Sequence, residues 1–219
     1  MYAKKNLALS ALAGALLCST AVLSPVAAAG FEGKSAGDLM VRARGVWVAP
    51  VESSSVTVIG GQATVGNDFI PELDFSYFLT DHFAAELILG TSRHSVGWEG
   101  AGGASLSLGK VSLLPPTLTF QYHPLPKQRI SPYIGAGINY TIFYDEESGD
   151  VSDISYNNTF GLAFQAGVDV AVYDNFWVNV DVKRLLLDTD ATIDAGGTRV
   201  DADVNLDPWL IGFGIGYSF

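Results

Sequence analysis

Apolar residues alternate with small or polar residues along much of this chain, and a period of two residues is that of a β-strand. In 209–219 apolar or aromatic residues occupy every odd position, and glycine occupies three of the even positions. In 158–172 one face is apolar and the other carries Thr, Gly, Ala, Gln and Asp. The alternation predicts strands near 39–50, 69–80, 83–93, 110–123, 131–144, 158–172, 176–187 and 204–219.

The connections between these predicted strands alternate in length. The short ones lie at 80–82, 124–130 and 173–175. The long ones are rich in Gly, Ser, Asp and Thr and lie at 51–68, 94–109, 145–157 and 188–203. Short periplasmic turns, long extracellular loops and an even strand number are typical of outer-membrane barrels. The pattern therefore predicts an all-β fold, an eight-stranded antiparallel transmembrane β-barrel in the outer membrane of a Gram-negative bacterium.

The N-terminal residues 1–29 have the features of a signal peptide. Two lysines precede an apolar stretch, and small residues at 26–29 supply a cleavage site. The apolar stretch is shorter than the roughly 20 residues that a transmembrane helix needs. We expect cleavage after Ala29, so that 30–219 forms the barrel. Because the single cysteine of the chain, Cys18, lies in the signal, the exported protein would carry no thiol.

A soluble eight-stranded barrel would show the same alternation with its apolar face inside. Gly45-Val46-Trp47 even matches the short G-x-W pattern of lipocalins. Three features favour the membrane arrangement instead: the alternating connections, an aromatic residue at the very end of the last strand, and further aromatics gathered at strand ends as in an interfacial girdle. These aromatics are Tyr77, Phe83, Tyr122, Tyr133, Phe176, Trp177, Tyr217 and Phe219.

The chain finishes inside its last predicted strand. In a closed barrel the last strand pairs with the first, so no backbone edge is left in the lipid. Bacterial outer-membrane proteins commonly end in aromatic-x-aromatic, the signal read by the outer-membrane assembly machinery. We therefore assign Tyr217 and Phe219 to a C-terminal assembly signal and expect that machinery to be a partner.

Several motifs, taken in order, resemble the OmpW family of outer-membrane proteins. They are LPPTL at 114–118, PYIGAGINYTIF at 132–143, QAGVD at 165–169, DTD at 188–190 and LDPW at 206–209. The resemblance implies an eight-stranded barrel with a narrow hydrophobic pocket at its outer end. It also implies uptake of small hydrophobic compounds, as for the alkane importer AlkL of this family. It carries no ligand-binding residue over to this chain.

If the apolar faces meet lipid, the charged residues of the strands point into the barrel. Buried charges must be paired, and an eight-stranded interior is only just wide enough for side chains. We therefore predict a charge network that plugs the lower lumen, in place of a water-filled channel. Its members are Arg42, Arg44, Asp74, Glu86, Asp181 and Lys183, with Glu72 and Asp169 also pointing inward. A structural plug and a proton or ion path both stay open.

Four prolines fall in the outer halves of predicted strands, where each removes a hydrogen bond of the ladder. They mark a candidate lateral seam, through which a hydrophobic molecule would leave the lumen for the membrane. The alternative is that these prolines simply end strands at the loops. The residues are Pro71, Pro115, Pro116 and Pro208.

The sequence thus favours passive uptake of small hydrophobic molecules, with lateral exit into the membrane as a candidate route and without a cofactor or metal. Outer-membrane lipids and lipopolysaccharide are the other expected partners. Nucleic acid is excluded as a partner, because Asp and Glu outnumber Lys and Arg by 23 to 12.

Two other functions stay open at this point. The acidic loops suit a structural or adhesion barrel that does not transport. Some outer-membrane barrels modify lipids, and such hydrolases need a serine or carboxylate with a histidine in reach. His94 has Ser92, Ser95 and Glu99 nearby, but this spacing is not that of a triad, so we expect no enzyme.

Overall fold

The computed structural model describes residues 31–49, 53–55, 62–100, 105–194, 199–205 and 207–219, and the predicted signal peptide lies outside these ranges. No helix in the described ranges is long and apolar enough to cross a membrane. The strands are β1 Leu39–Ala49, β2 Ser53–Ser55, β3 Gln62–Val65, β4 Asp68–Phe78, β5 Phe83–Gly90, β6 Ser92–Glu99, β7 Ser105–Leu114, β8 Thr117–Tyr122, β9 Ile130–Ser148, β10 Asp153–Tyr156, β11 Thr159–Tyr173, β12 Phe176–Leu186, β13 Asp188–Asp194, β14 Arg199–Asn205 and β15 Trp209–Ser218.

Eight of these strands close into an antiparallel barrel, in the order β1-β4-β5-β8-β9-β11-β12-β15. The circle is completed by β15, which pairs with β1 from Met40 opposite Ser218 to Ala49 opposite Trp209. Closure removes sheet edges, so the backbone groups of the wall find partners where no water is present. The predicted fold class is confirmed.

The remaining strands raise the wall above the barrel, where the sequence analysis had placed loops. β6 and β7 pair with each other, and β7 also pairs with the outer end of β9. A second sheet joins β10, β13, β14 and β2. The loop assignments at 94–109, 145–157 and 188–203 were therefore wrong in large part. Strands outside the bilayer need no continuous apolar face. Their many Ser, Gly and Asp residues therefore do not show the alternation by which the other strands were predicted.

The two faces of the wall have opposite character. In β1 the residues at 40, 42, 44, 46 and 48 are buried in the barrel. Between them Trp47 faces outward with 48% of its surface exposed, as do Phe213 on β15 at 60% and Ile134 on β9 at 61%. Such a band of exposed apolar side chains suits lipid. It rules out a lipocalin arrangement, in which the tryptophan of the G-x-W pattern would face inward.

The chain end is tied into the closed wall. Phe219 N donates to Leu39 O at 2.9 Å, and Ser218 N donates to Asn175 O at 3.0 Å. The Tyr217 ring packs edge-on against Phe219, with 4.7 Å between centroids, and against Phe176, with 4.9 Å. The backbone of Phe219 thus holds β15 to β1, and the last aromatic rings pack along β15 and onto β12 at the periplasmic rim.

Replacing Phe219 with Glu should impair insertion into the outer membrane while leaving export intact, because a charged side chain cannot pack on the Tyr217 ring at the membrane surface. Migration of unheated and heated samples on a gel separates folded from unfolded barrel. Phe219→Tyr keeps an aromatic ring and should insert normally. Unaltered heat-dependent migration of Phe219→Glu would contradict the assignment.

Val180 tests which face meets the lipid. It lies near the middle of β12, faces outward opposite Phe213 and is 48% exposed. Val180→Arg should lower the free energy of unfolding in lipid vesicles by about 2–4 kcal/mol, the usual effect of a charge on the lipid face at the midplane. Val180→Leu should leave it nearly unchanged. Equal urea midpoints for the two variants would show that this face does not meet hydrocarbon.

Candidate functional site

The lumen is built in three layers, which the inward residues of β1 define from the periplasmic end outward. Met40 belongs to an apolar base, Arg42 and Arg44 to a charged middle, and Val46 and Val48 to an apolar top. Antiparallel neighbours place residues of the same layer at the same height. We call these layers the periplasmic seal, the charge layer and the upper chamber.

The periplasmic seal contains a segment that precedes the first strand. Lys34, fully buried, donates to Asp169 Oδ2 at 2.5 Å, to Ser131 Oγ at 3.1 Å and to His123 Nδ1 at 3.1 Å. Beside it the ring of Phe31 packs on Trp177 in an apolar cluster that fills the mouth of the barrel. The other members of that cluster are Met40, Phe78, Ala84 and Ala171. The assignment of Trp177 and Tyr133 to an interfacial girdle was therefore wrong, since both are buried inside the barrel with 2% of their surface exposed.

The same segment is fixed to the periplasmic turns. Ala36 N donates to Asp81 Oδ1 at 2.9 Å, and this backbone hydrogen bond is the main reason why the pKa of Asp81 lies below its usual value. Lys127 donates to Ser35 Oγ at 2.6 Å and pairs with Asp81 at 3.4 Å. At Gly33, φ is +73° and the backbone of Lys127 lies so close that a Cβ would be 2.7 Å from its Cα. Glycine is therefore required for this contact.

Arg42 forms the centre of the charge layer. It is fully buried and pairs with three carboxylates: Nε with Asp74 Oδ1 at 2.7 Å, Nη2 with Glu86 Oε1 at 2.5 Å, and Nη1 with Asp169 Oδ1 at 3.1 Å. The carboxylates come from β4, β5 and β11, so one guanidinium ties together strands around the barrel. Asp169 also holds Lys34 and thereby joins the charge layer to the periplasmic seal.

Arg44 and Lys183 complete this layer. Arg44 lies 2.8 Å from Glu72, 2.9 Å from Asp74 and 2.8 Å from Asp181. Lys183 lies 2.6 Å from Glu72 and 3.3 Å from Asp181. The structure thus places all six residues named from the sequence in one buried network, together with Lys34, Glu72 and Asp169. In the described chain this network sets five carboxylates against four cations and fills the barrel across its width.

The glycines of β15 give the arginines their space. A Cβ at Gly216 would lie 2.7 Å from Cγ of Arg42, and one at Gly212 would collide with the carboxylate of Asp181. Both positions face the lumen, Gly216 opposite Arg42 of β1 and Gly212 opposite Asp181 of β12. In the last strand the aromatic and aliphatic residues therefore face the lipid, and the glycines face the packed charges of the lumen.

The upper chamber lies directly above the pair of Lys183 and Glu72. Toward β8 and β9 the lumen carries the buried polar residues Thr117, Asn139 and Thr141. The rest of this layer is a cluster of buried aliphatic side chains from β1, β4, β11, β15 and the end of β12. The residues are Val46, Val48, Ile70, Ala163, Leu185, Leu187 and Leu210.

The wall beside the chamber is interrupted at the diproline. β5 pairs with β8 as far as Ile88 opposite Thr117, and β6 pairs with β7 from Ser92 opposite Leu113. The register is the same below and above this interruption, because one strand advances four residues from Ile88 to Ser92 and the other four residues from Leu113 to Thr117. Residues 89–91 therefore face 114–116 without ladder pairing. We call this break the wall gap.

The other two prolines of the candidate seam do not interrupt the wall. Pro71 lies within β4 and stays paired with Gly45 of β1, since its ring faces outward without displacing the strand. Pro208 lies just before β15, and its carbonyl accepts from Leu185 N at 3.2 Å. The structure thus limits the candidate seam to Pro115 and Pro116, which are adjacent and remove two successive N–H donors.

His94 takes a structural role above the chamber. It is buried, and its Nδ1 lies 2.9 Å from Gly66 O, a backbone carbonyl of the neighbouring strand connection. Higher still, an apolar cluster of β6, β7 and β10 surrounds Tyr156, whose pKa is raised by burial. The outer wall is thus held by a small core of its own.

The model of the OmpW family matches residues 35–219. The chain belongs to the OmpW family. Among its relatives, the uncharacterized outer-membrane protein y4mB of Sinorhizobium fredii is 43% identical over 202 residues, which are 90% of this chain and 87% of the relative. Outer membrane protein AlkL of Ectopseudomonas oleovorans is 29% identical over 193 residues, 80% and 83% of the two chains.

A solved structure agrees with the OmpW-family barrel described here. The crystal structure of OprG from Pseudomonas aeruginosa matches it with a TM-score of 0.80 and 30% identity, covering 86% of this chain and 99% of that one. The relatives are outer-membrane barrels, so the outer membrane is the location of this protein.

Some members of the site gave no signal in the sequence. Lys34 precedes the alternating segments, so no periodicity showed where it points. Thr117 and Asn139, which lie at the wall gap, are ordinary inward residues until the register places them beside Pro115. The alternation along one strand predicts which residues face the lumen. It does not predict which inward residues of different strands touch each other.

Arg42→Met should lower the free energy of unfolding by about 3–5 kcal/mol, because it leaves buried carboxylates without their main partner. Arg93→Met is the matched control, since Arg93 pairs with Asp145 and Glu147 at the exposed outer wall. Such exposed pairs contribute about 0–1 kcal/mol. Urea unfolding in lipid vesicles, followed by tryptophan fluorescence, measures both. Equal losses would mean that the charge layer is not a dry network.

Proposed function

We propose that this barrel takes up small hydrophobic molecules by diffusion, through the upper chamber and out sideways through the wall gap into the membrane. The observation that carries the proposal is an aliphatic cluster in the upper lumen that lies above a layer of paired charges and beside an interruption of the wall. The lipopolysaccharide leaflet hinders hydrophobic molecules, so a protein path around it is useful. No energy source or cofactor is needed for such a path.

The route downward is unfavourable for an apolar molecule. It would have to separate the pairs of Arg42 and Arg44 and leave their carboxylates without partners, which costs several kcal/mol per pair. Below them, Lys34 and the aromatic cluster of the periplasmic seal fill the mouth. A continuous path to the periplasm would require both layers to rearrange.

The route sideways is favourable because the gap is bordered by apolar side chains on its outer surface. Leu89 and Leu114 flank it with 37% of each exposed, and Leu118 lies just below with 52% exposed. A molecule that leaves here enters acyl chains, its best solvent. The association of the OmpW family with uptake of small hydrophobic compounds supports the same direction.

A disulfide across the wall gap tests the route. Thr91→Cys and Leu114→Cys face each other in the shared register and keep both prolines. Thr91 and Leu114 adjoin the first ladder pair above the gap, Ser92 with Leu113, and Thr91 Oγ1 donates to Leu113 O at 3.2 Å. The two strands are therefore close at this point, as a disulfide requires. Oxidation should stop uptake of a hydrophobic fluorophore by cells with an intact lipopolysaccharide leaflet, and reduction should restore it.

The matched control is a disulfide between Val178→Cys and Ile215→Cys, which are paired on the opposite side of the wall. It should leave uptake unchanged in both redox states. Full uptake by the oxidised Thr91–Leu114 variant would remove this exit. Uptake no greater than in cells without the protein would instead favour a structural or adhesion barrel, and altered lipid A or phospholipid would favour an enzyme.

A further inference from the structure

The wall gap has a defined missing rung. Below the gap, His123 N donates to His82 O at 2.8 Å. Hydrogen-bonded pairs alternate along an antiparallel ladder, so they join even-numbered residues on the β5 side to odd-numbered residues on the β8 side. In the unchanged register the next such pair in the gap is Gly90 with Pro115. Pro115 has no N–H, so this rung could contain a single bond, from Gly90 N to Pro115 O. That bond is absent from this fully described stretch.

The carbonyl of Pro115 has other partners, and they lie in the lumen. Asn139 Nδ2 donates to Pro115 O at 3.1 Å and to Thr117 Oγ1 at 2.7 Å. Thr117 Oγ1 in turn donates to Pro115 O at 3.0 Å. Asn139 is 1% exposed and Thr117 is 3% exposed, so both act within the barrel. The carbonyl that would close the rung is held by donors from β8 and β9.

The amide of Asn139 is itself oriented. Thr141 Oγ1 donates to Asn139 Oδ1 at 2.7 Å, which leaves the NH₂ group directed at the proline segment. Meanwhile Tyr140 N donates to Pro116 O at 3.0 Å, so the diproline stays attached to β9. The segment therefore belongs to the β9 side of the gap, and the opposite side is Gly90 on β5.

We propose that Asn139 is a positioning residue that keeps the lateral exit open, by holding the Pro115 carbonyl away from Gly90. This inference rests on the proposed function for its consequence in uptake, while the geometry itself does not. In the absence of the amide, the Pro115 carbonyl keeps one donor, Thr117 Oγ1, and has one acceptor site free. The Gly90 N–H faces that carbonyl in register and can take the free site. The rung then forms and the wall closes.

Asn139→Leu tests the proposal, because leucine has nearly the same size and no donor. One hydrogen bond contributes about 0.5–1.5 kcal/mol, so uptake of the fluorophore should fall about two- to tenfold. Hydrogen exchange at the Gly90 amide should slow by a similar factor. Asn158→Leu is the matched control, since Asn158 bonds the outer wall at Phe143 N and should alter neither quantity.

A double variant separates this role from general damage to the barrel. Gly90→Pro removes the N–H that would close the rung, so Asn139→Leu combined with Gly90→Pro should regain wild-type uptake. Thr141→Val, with Thr141→Ser as its control, gives a milder test in case Asn139→Leu does not insert. Unchanged exchange at Gly90 in Asn139→Leu overturns the proposal. Absence of uptake by the wild type overturns transport instead, and Gly90 exchange still decides the role of Asn139.

Discussion

The hydrogen-bonded closure of the wall is the constraint on which the rest of the structure depends. In hydrocarbon a backbone donor or acceptor without a partner costs several kcal/mol, so β15 must return to β1 and the chain must end in register. This closure fixes eight strands, and eight strands fix an interior that side chains fill. The packed lumen and the glycines of β15 follow from this closure. So does the significance of the wall gap, because unpaired backbone groups are otherwise absent from a closed wall.

The charge layer shows how such an interior can be filled with polar groups. Arg42 and Arg44 each reach carboxylates on several strands, so that losing one partner leaves others in place. The pairs of this network join residues of β1, β4, β5, β11 and β12 at one height of the barrel. The network also divides the lumen, since an apolar solute has no favourable place among ion pairs.

The membrane-spanning strands could be predicted from the sequence because lipid demands an unbroken apolar face, as in 158–172. The outer hairpins at 94–109 and 188–203 could not, because water on both faces removes that demand. Inward charges such as Asp181 followed from the same alternation, and their pairing followed from burial. Lys34 lies in a segment without a period, and Asn139 meets Pro115 only through the register of β8 and β9. Contacts between residues of different strands depend on how the barrel closes, and no local sequence pattern carries that information.

The periplasmic seal also bears on the order of assembly. Lys34 bonds Ser131 on β9 and Asp169 on β11, residues 97 and 135 positions further along the chain. Its binding site therefore exists only after those strands have joined the wall. This N-terminal segment is thus among the last parts of the barrel to find its place, and the buried partners of Lys34 are covered only once the wall has closed around them.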